Sequence, residues 1–91
     1  MKFEWDETKA ESNYVKHQVR FDEAQTVFLD DNAIEVFDVD CEGEDRFIRL
    51  GVSLKRNLLI VVFCERDGEV IRIISARRAT KDEMKVYEEG I

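Results

Sequence analysis

The side chains best suited to chemistry in this sequence are arginines. Arg66, Arg72, Arg77 and Arg78 crowd the last third of the chain, and Lys81 and Lys85 follow them. A guanidinium grips phosphate through two parallel hydrogen bonds and stays charged at any physiological pH. It can also carry the extra negative charge of a phosphorane transition state without help from a metal. Arg77 and Arg78 could instead close surface ion pairs with Glu83, Glu88 or Glu65, and spacing alone leaves both readings open. His17 beside Lys16 is the only histidine. Imidazole suits general acid–base work near neutrality, but a histidine at a helix end also caps carbonyls or packs on a ring such as Trp5. Other catalytic signatures are missing. The chain has no glycine-rich phosphate loop, no Cys or His pair at metal-ligand spacing and no serine elbow. Asp30-Asp31 and Asp38/Asp40 read as solvated loop carboxylates rather than a cation site, so neither a metal nor a cofactor is expected.

These residues need elements to position them. Asp6 is the expected N-cap of a helix running to about His17, with Trp5, Ala10, Tyr14 and His17 on one stripe. A second helix is expected from Phe21 to about Leu29, because Phe21, Ala24, Val27 and Phe28 recur at core-facing spacing. The period then changes to two. Four strands are expected, at Ala33 to Val39, Arg46 to Leu54, Leu58 to Arg66 and Val70 to Arg77. The connection at Asp67-Gly68 is a strong hairpin signal, and connections this short allow only antiparallel neighbours. The third and fourth strands are then hairpin partners, which brings Arg66 close to Arg72. Thr80-Lys81-Asp82-Glu83 is a capping box that opens a last helix, and Gly90 closes it. The expected fold class is α+β: two N-terminal helices, a four-stranded antiparallel sheet and a C-terminal helix in one domain, residues 1–91. Phe3 and Trp5 suggest a short edge strand before the first helix.

Alternation assigns the faces of that sheet. Ile48, Leu50 and Val52, then Leu59, Val61 and Phe63, then Ile71 and Ile73 are expected to bury against the helices. Arg49, Gly51 and Ser53, with Arg72, Ile74 and Ala76, would line the helix-free face, placing two arginines in a partly apolar setting.

The bulk numbers limit what such a domain can be. The chain has 91 residues, 44% of them hydrophobic and 38% charged, enough apolar material for one core and no second. No apolar run approaches the roughly 20 residues of a membrane span, and the acidic opening Met1 to Asp6 lacks a signal core. Cys41 and Cys64 allow at most one disulfide. Cys64 lies in an apolar run and reads as a buried thiol of a reducing cytoplasm. The net charge is −7, but it is unevenly spread. Residues 1–45 hold 14 acidic and 4 basic residues, net −10; residues 46–91 hold 7 and 10, net +3. One surface should repel phosphate and another could hold it.

Phe3-Glu4-Trp5-Asp6 followed by Lys9, Asn13 and Lys16-His17 is similar to the opening of the BrnT toxin family. So is Val19 through Phe28, where Phe21, Glu23-Ala24 and Val27-Phe28 match. The most specific stretch is Ile71-Arg72-Ile73-Ile74-Ser75-Ala76-Arg77-Arg78-Ala79-Thr80, with Glu83, Tyr87 and Glu88 downstream; Arg46, Ile48 and Gly51 also fit. The resemblance spans essentially the whole chain. It implies a RelE-like toxin of a type II toxin–antitoxin pair, a metal-independent endoribonuclease acting in the cytoplasm. A BrnA-type antitoxin would neutralise it and make any contact with DNA. The implied reaction is attack of a ribose 2′-hydroxyl on the adjacent phosphate, leaving a cyclic phosphate and a free 5′-hydroxyl. Carried onto this chain, Arg66, Arg72 and Arg77 would hold the phosphate, and His17 or Glu65 would move the proton. Lys16, Arg49, Arg78 and Lys81 would guide the RNA backbone. Where the family has Lys-His-Gly-Val this chain has Gln18, in what should be a positive-φ helix cap costing Gln of order 1 kcal/mol. The acidic net charge favours a second reading, a weak or inactive module that binds the antitoxin or co-represses with it.

Overall fold

The cap signals do what their chemistry requires. In a computed structural model, which describes residues 1–38, 45–66 and 69–90, helix α1 runs Glu7–His17. Asp6 Oδ1 accepts hydrogen bonds from the Thr8 and Lys9 amides at 2.8 and 3.1 Å, satisfying two of the orphan donors at its start. Gln18 ends it at φ 60°, the left-handed conformation that glycine adopts without strain. Helix α3, Lys81–Glu89, opens with both bonds of the Thr80/Glu83 capping box and closes on Gly90 at φ 66°.

The expected second helix is mostly a different structure. α2 covers only Phe21–Ala24, and a 3₁₀ turn continues through Gln25–Leu29. The buried residues Phe21, Ala24 and Val27 are three apart, and three residues per turn aligns them on one line. Their spacing therefore fits the tighter helix better than the α-helix.

The strands are β1 Lys2–Glu4, β2 Ile34–Phe37, β3 Arg46–Val52, β4 Leu58–Arg66 and β5 Val70–Arg78. They form one mixed sheet in the order β1-β5-β4-β3-β2, a correction to the expected four antiparallel strands. The meander β2 to β5 is antiparallel throughout, whereas β1 pairs parallel with β5, Glu4 opposite Arg72. Three residues are too few to show alternation, and their partner lies at the far end of the sequence. Val39, Asp40, Cys41 and the Asp67-Gly68 turn lie outside the described residues.

Two face assignments are corrected by the register. Phe47, Arg49 and Gly51 stand opposite Phe63, Val61 and Leu59, so these residues, and not Ile48, Leu50 and Val52, face α1, α2 and the 3₁₀ turn. Arg49 is accommodated there because that turn offers bare carbonyls. Its Nε and Nη2 donate to Val27 O and Asp30 O, both at 3.1 Å, over the face of Phe28 and beside Glu35. Gly51 lets the turn come close: a Cβ there would lie 3.1 Å from that of Ala33 and 3.4 Å from that of Val27. The second correction is a bulge in β5. Val62 pairs with Ser75 and Phe63 with Ile73, leaving Ile74 as the extra residue. Past the bulge the parity inverts. Ala76 enters the core, 1% exposed, and Arg77 moves to the face that carries Arg72.

The core is the layer between the helices and the Leu59–Val61–Phe63 face, joined by edge-to-face and stacked contacts running Phe3, Phe28, Phe63, Phe47, Phe37. The second face, expected to be free of helices, carries α3 at one end. Arg77 fixes the start of α3 through Glu83, and Tyr87 fixes its end by donating to Asp30 Oδ2 at 2.6 Å.

Candidate functional site

At the other end of that second face the arginines gather. Arg66 pairs with Val70 and Arg72 with Cys64, so both guanidinium groups leave the sheet on the same side as close diagonal neighbours. β1 adds Glu4 beside them. Arg72 Nη1 donates to Glu4 Oε2 at 2.9 Å, and Arg66 Nε lies 3.9 Å from the same oxygen. The side chains of Arg72, Glu4 and Arg66 are 29%, 42% and 47% exposed. Across β4, Arg46 extends the row Arg46–Cys64–Arg72, and its Nε is buried without a hydrogen-bond partner among the described residues. The result is a partly dry patch in which charge–charge contacts outweigh those at a freely hydrated surface. It already holds one anionic group, the Glu4 carboxylate.

Arg77, expected at the phosphate, is committed elsewhere. Its fork meets Glu83 through two bonds, Nη1–Oε1 at 2.8 Å and Nη2–Oε2 at 2.9 Å. The hydrogen bond from Arg77 outweighs burial and holds the Glu83 carboxyl down at about 2, while the same bond raises the Arg77 value. Glu83 also accepts the Thr80 amide at 2.8 Å, so one carboxylate caps α3 and ties it to the sheet. Arg77 is thus an anchor for α3.

On the other flank of β5, α1 lies along the strand beyond the reach of β1. Asn13 completes that stretch with one side chain: Ala76 N donates to its Oδ1 at 3.1 Å, and its Nδ2 donates to Ala76 O at 2.9 Å and Val19 O at 3.0 Å. The amide does what a neighbouring strand would do. This docking places Lys9, Lys16 and His17 around a shallow pocket floored by Ile74 and Ser75 of the bulge.

The nine residues expected to form a site therefore separate into groups. Arg66 and Arg72 come together; Lys16 and His17 share the pocket beside the bulge, both exposed. Glu65 is exposed on the opposite side of β4 from Arg66, beside Glu69, Val70 and Ile71. Arg78 and Lys81 are exposed near the start of α3. Arg49 points away from all of them into the helical layer. Glu4 and Arg46 were not anticipated as site residues. The signal for Glu4 was the short strand before α1, and it becomes visible only once that strand is set beside β5. No group of three or more His, Cys, Asp or Glu that could hold a metal occurs among the described residues. Asp30 is occupied structurally: burial raises its pKa, but hydrogen bonds from Tyr87, Val52 and Asn32 and the charge of Arg49 bring it below the ordinary value. No helix among the described residues is long and apolar enough to cross a membrane.

Fold and surface together define a small α+β protein with an arginine-lined sheet face closed around its own Glu4 carboxylate. The family model for the ribonuclease toxin BrnT of type II toxin–antitoxin systems matches residues 5–83. The chain belongs to that family, and with it to the toxins of type II toxin–antitoxin systems. Its structure is similar to the 1.1 Å crystal structure of the Brucella abortus ribonuclease toxin BrnT, with a TM-score of 0.69 and 25% identity. The match covers 89% of this chain and 99% of that one. No curated protein sequence matches it.

Proposed function

We propose that this chain is a metal-independent endoribonuclease of the cytoplasm, neutralised by a BrnA-type antitoxin. The observation that carries the proposal is the convergence of Arg66 and Arg72 on one carboxylate oxygen, 3.9 and 2.9 Å away. Two guanidinium groups aimed at one anionic oxygen are arranged for a phosphate and for the charge it gains in the transition state.

In this scheme the ribose 2′-oxygen attacks the adjacent phosphorus and forms an O2′–P bond as the P–O5′ bond breaks. The 2′-hydroxyl proton goes to a base, and the departing 5′-oxygen takes a proton from an acid. The products are a 2′,3′-cyclic phosphate and a 5′-hydroxyl end. Arg66 and Arg72 hold the pentacoordinate phosphate. His17, exposed beside Lys16, supplies the proton to the 5′-oxygen, while Lys16, Arg78 and Lys81 steer the RNA backbone towards the site. The antitoxin silences the enzyme by covering the face that bears Arg66 and Arg72.

The test is cleavage of a defined RNA by the purified chain in excess EDTA, with chemical identification of both new ends. Cleavage should persist and leave a cyclic phosphate and a 5′-hydroxyl. Complete loss in chelator, restored by Mg²⁺ or Mn²⁺, would overturn the arginine mechanism. No cleavage under any condition, together with unimpaired growth of a host expressing the chain alone, would favour a non-catalytic antitoxin-binding module.

A further inference from the structure

The ribonuclease reading needs a base for the 2′-hydroxyl, and we propose that Glu4 is that base; the assignment rests on the function proposed above. Glu4 is divided in its duties. Oε2 is fixed by Arg72 at 2.9 Å and approached by Arg66 at 3.9 Å, while Oε1 takes no hydrogen bond among the described residues. The side chain is 42% exposed, so Oε1 can meet a hydroxyl from solution. A base must come within about 3 Å of the proton's oxygen. The 2′-oxygen lies on the ribose whose 3′-oxygen carries the scissile phosphate. A phosphate gripped by Arg72 and Arg66 therefore brings that hydroxyl to the group those arginines already touch.

The other carboxylates are less suited. Glu83 gives both oxygens to Arg77 and is held at about 2. Glu65 leaves the opposite face of the sheet, and Glu35 sits with Arg49 on the helical side. His17 lines the pocket at Ile74 and Ser75, on the strand that carries Arg72, and is left for the acid of the second proton transfer.

The charge changes favour the transfer in the forward direction. As the phosphate takes up Arg66 and Arg72, the Glu4 carboxylate loses its cationic partners and gains a neighbour that is becoming a dianion. Accepting the hydroxyl proton relieves that repulsion. The O2′–H bond breaks, the proton stays on Glu4, the O2′–P bond forms, and Glu4 later releases the proton to solvent.

The experiment compares wild type, Glu4→Gln and Glu4→Asp in single-turnover cleavage of a short RNA, in binding of the same RNA carrying 2′-O-methyl groups, and in melting temperature. Gln keeps a carbonyl oxygen for Arg72 and removes only the basicity. Glu4→Gln should lose about 10²-fold or more in rate, with unchanged affinity for the 2′-O-methyl RNA and an unchanged melting temperature. Glu4→Asp, which keeps a retracted base, should fall between. A wild-type rate in Glu4→Gln overturns the assignment. So does a rate loss matched by an equal loss of affinity for the 2′-O-methyl RNA, because Glu4 would then only position the arginines. If the wild type itself cleaves nothing, the ribonuclease reading is what fails.

Discussion

Arg72→Lys and Arg77→Lys should fail in opposite assays, although both keep the charge. Arg77 reaches Glu83 through two bonds of 2.8 and 2.9 Å, and no lysine reproduces a planar fork. The pair is 41% and 28% exposed, so its Coulomb energy is screened and the lost bond is worth about 1 kcal/mol at most. In a domain of this size that corresponds to a fall in melting temperature of roughly 4–8 °C. Arg72 makes a single 2.9 Å contact with Glu4, which an ammonium can also make, so its replacement should move stability by no more than about 0.5 kcal/mol. What the Arg72→Lys variant lacks is the planar fork that meets two phosphate oxygens at once, and cleavage should drop about 10²-fold, as for loss of one preorganised donor. The measurements are thermal melts at low and high salt and cleavage rates at a temperature where both variants are folded. Arg72→Lys should be the stable, slow variant, and Arg77→Lys the less stable but faster one. The reasoning fails if Arg72→Lys cleaves like wild type, or if Arg77→Lys melts like wild type yet is the slower enzyme.

Three further perturbations test how the scaffold is held. Asn13→Leu should cost about 3 kcal/mol or more in urea unfolding, because it strands Ala76 N–H and two carbonyls in a buried position. Gln18→Gly should gain up to about 1 kcal/mol by relieving the left-handed φ of 60°, and an unchanged or lower midpoint would contradict the strain. The Glu83 carboxyl is held at about 2 against an ordinary 4.5, chiefly by the bond from Arg77. A depressed acid stabilises the fold above its unfolded value, so this contribution should be intact above about 4.5 and disappear as the pH falls towards 2. Glu83→Gln should flatten the loss in an acid titration followed by circular dichroism.

Features with a local cause were legible in the sequence. The Asp6 cap, the Thr80/Glu83 capping box, the Gly90 terminus and the β2–β5 meander follow from residues that interact with near neighbours. The adjacency of Arg66 and Arg72 followed from the hairpin between β4 and β5. The face of β3 did not follow. β4 is apolar on both sides, so alternation there cannot choose, and the carbonyls that accept Arg49 belong to a turn whose 3₁₀ geometry the α-helical pattern concealed. The bulge at Ile74 was equally hidden, since one extra residue in an apolar strand leaves no mark in composition. It alone inverts the parity that separates Ala76 and Arg77 from their expected faces. Glu4 was invisible as a site residue because its position depends on a pairing that no local pattern encodes.

That pairing also sets a time at which the arginine patch can be completed. Glu4 and Arg72 are 68 residues apart in the chain, and β1 has nowhere to dock until β5 has been made. A nascent chain still lacking its last strand has the Glu4 carboxylate without Arg72, and without the strand against which β1 pairs. Contacts this distant in sequence are also the slow ones to form. For the ribonuclease proposed above, the arginine patch is therefore completed only after β5 has been made, at the end of synthesis rather than during it.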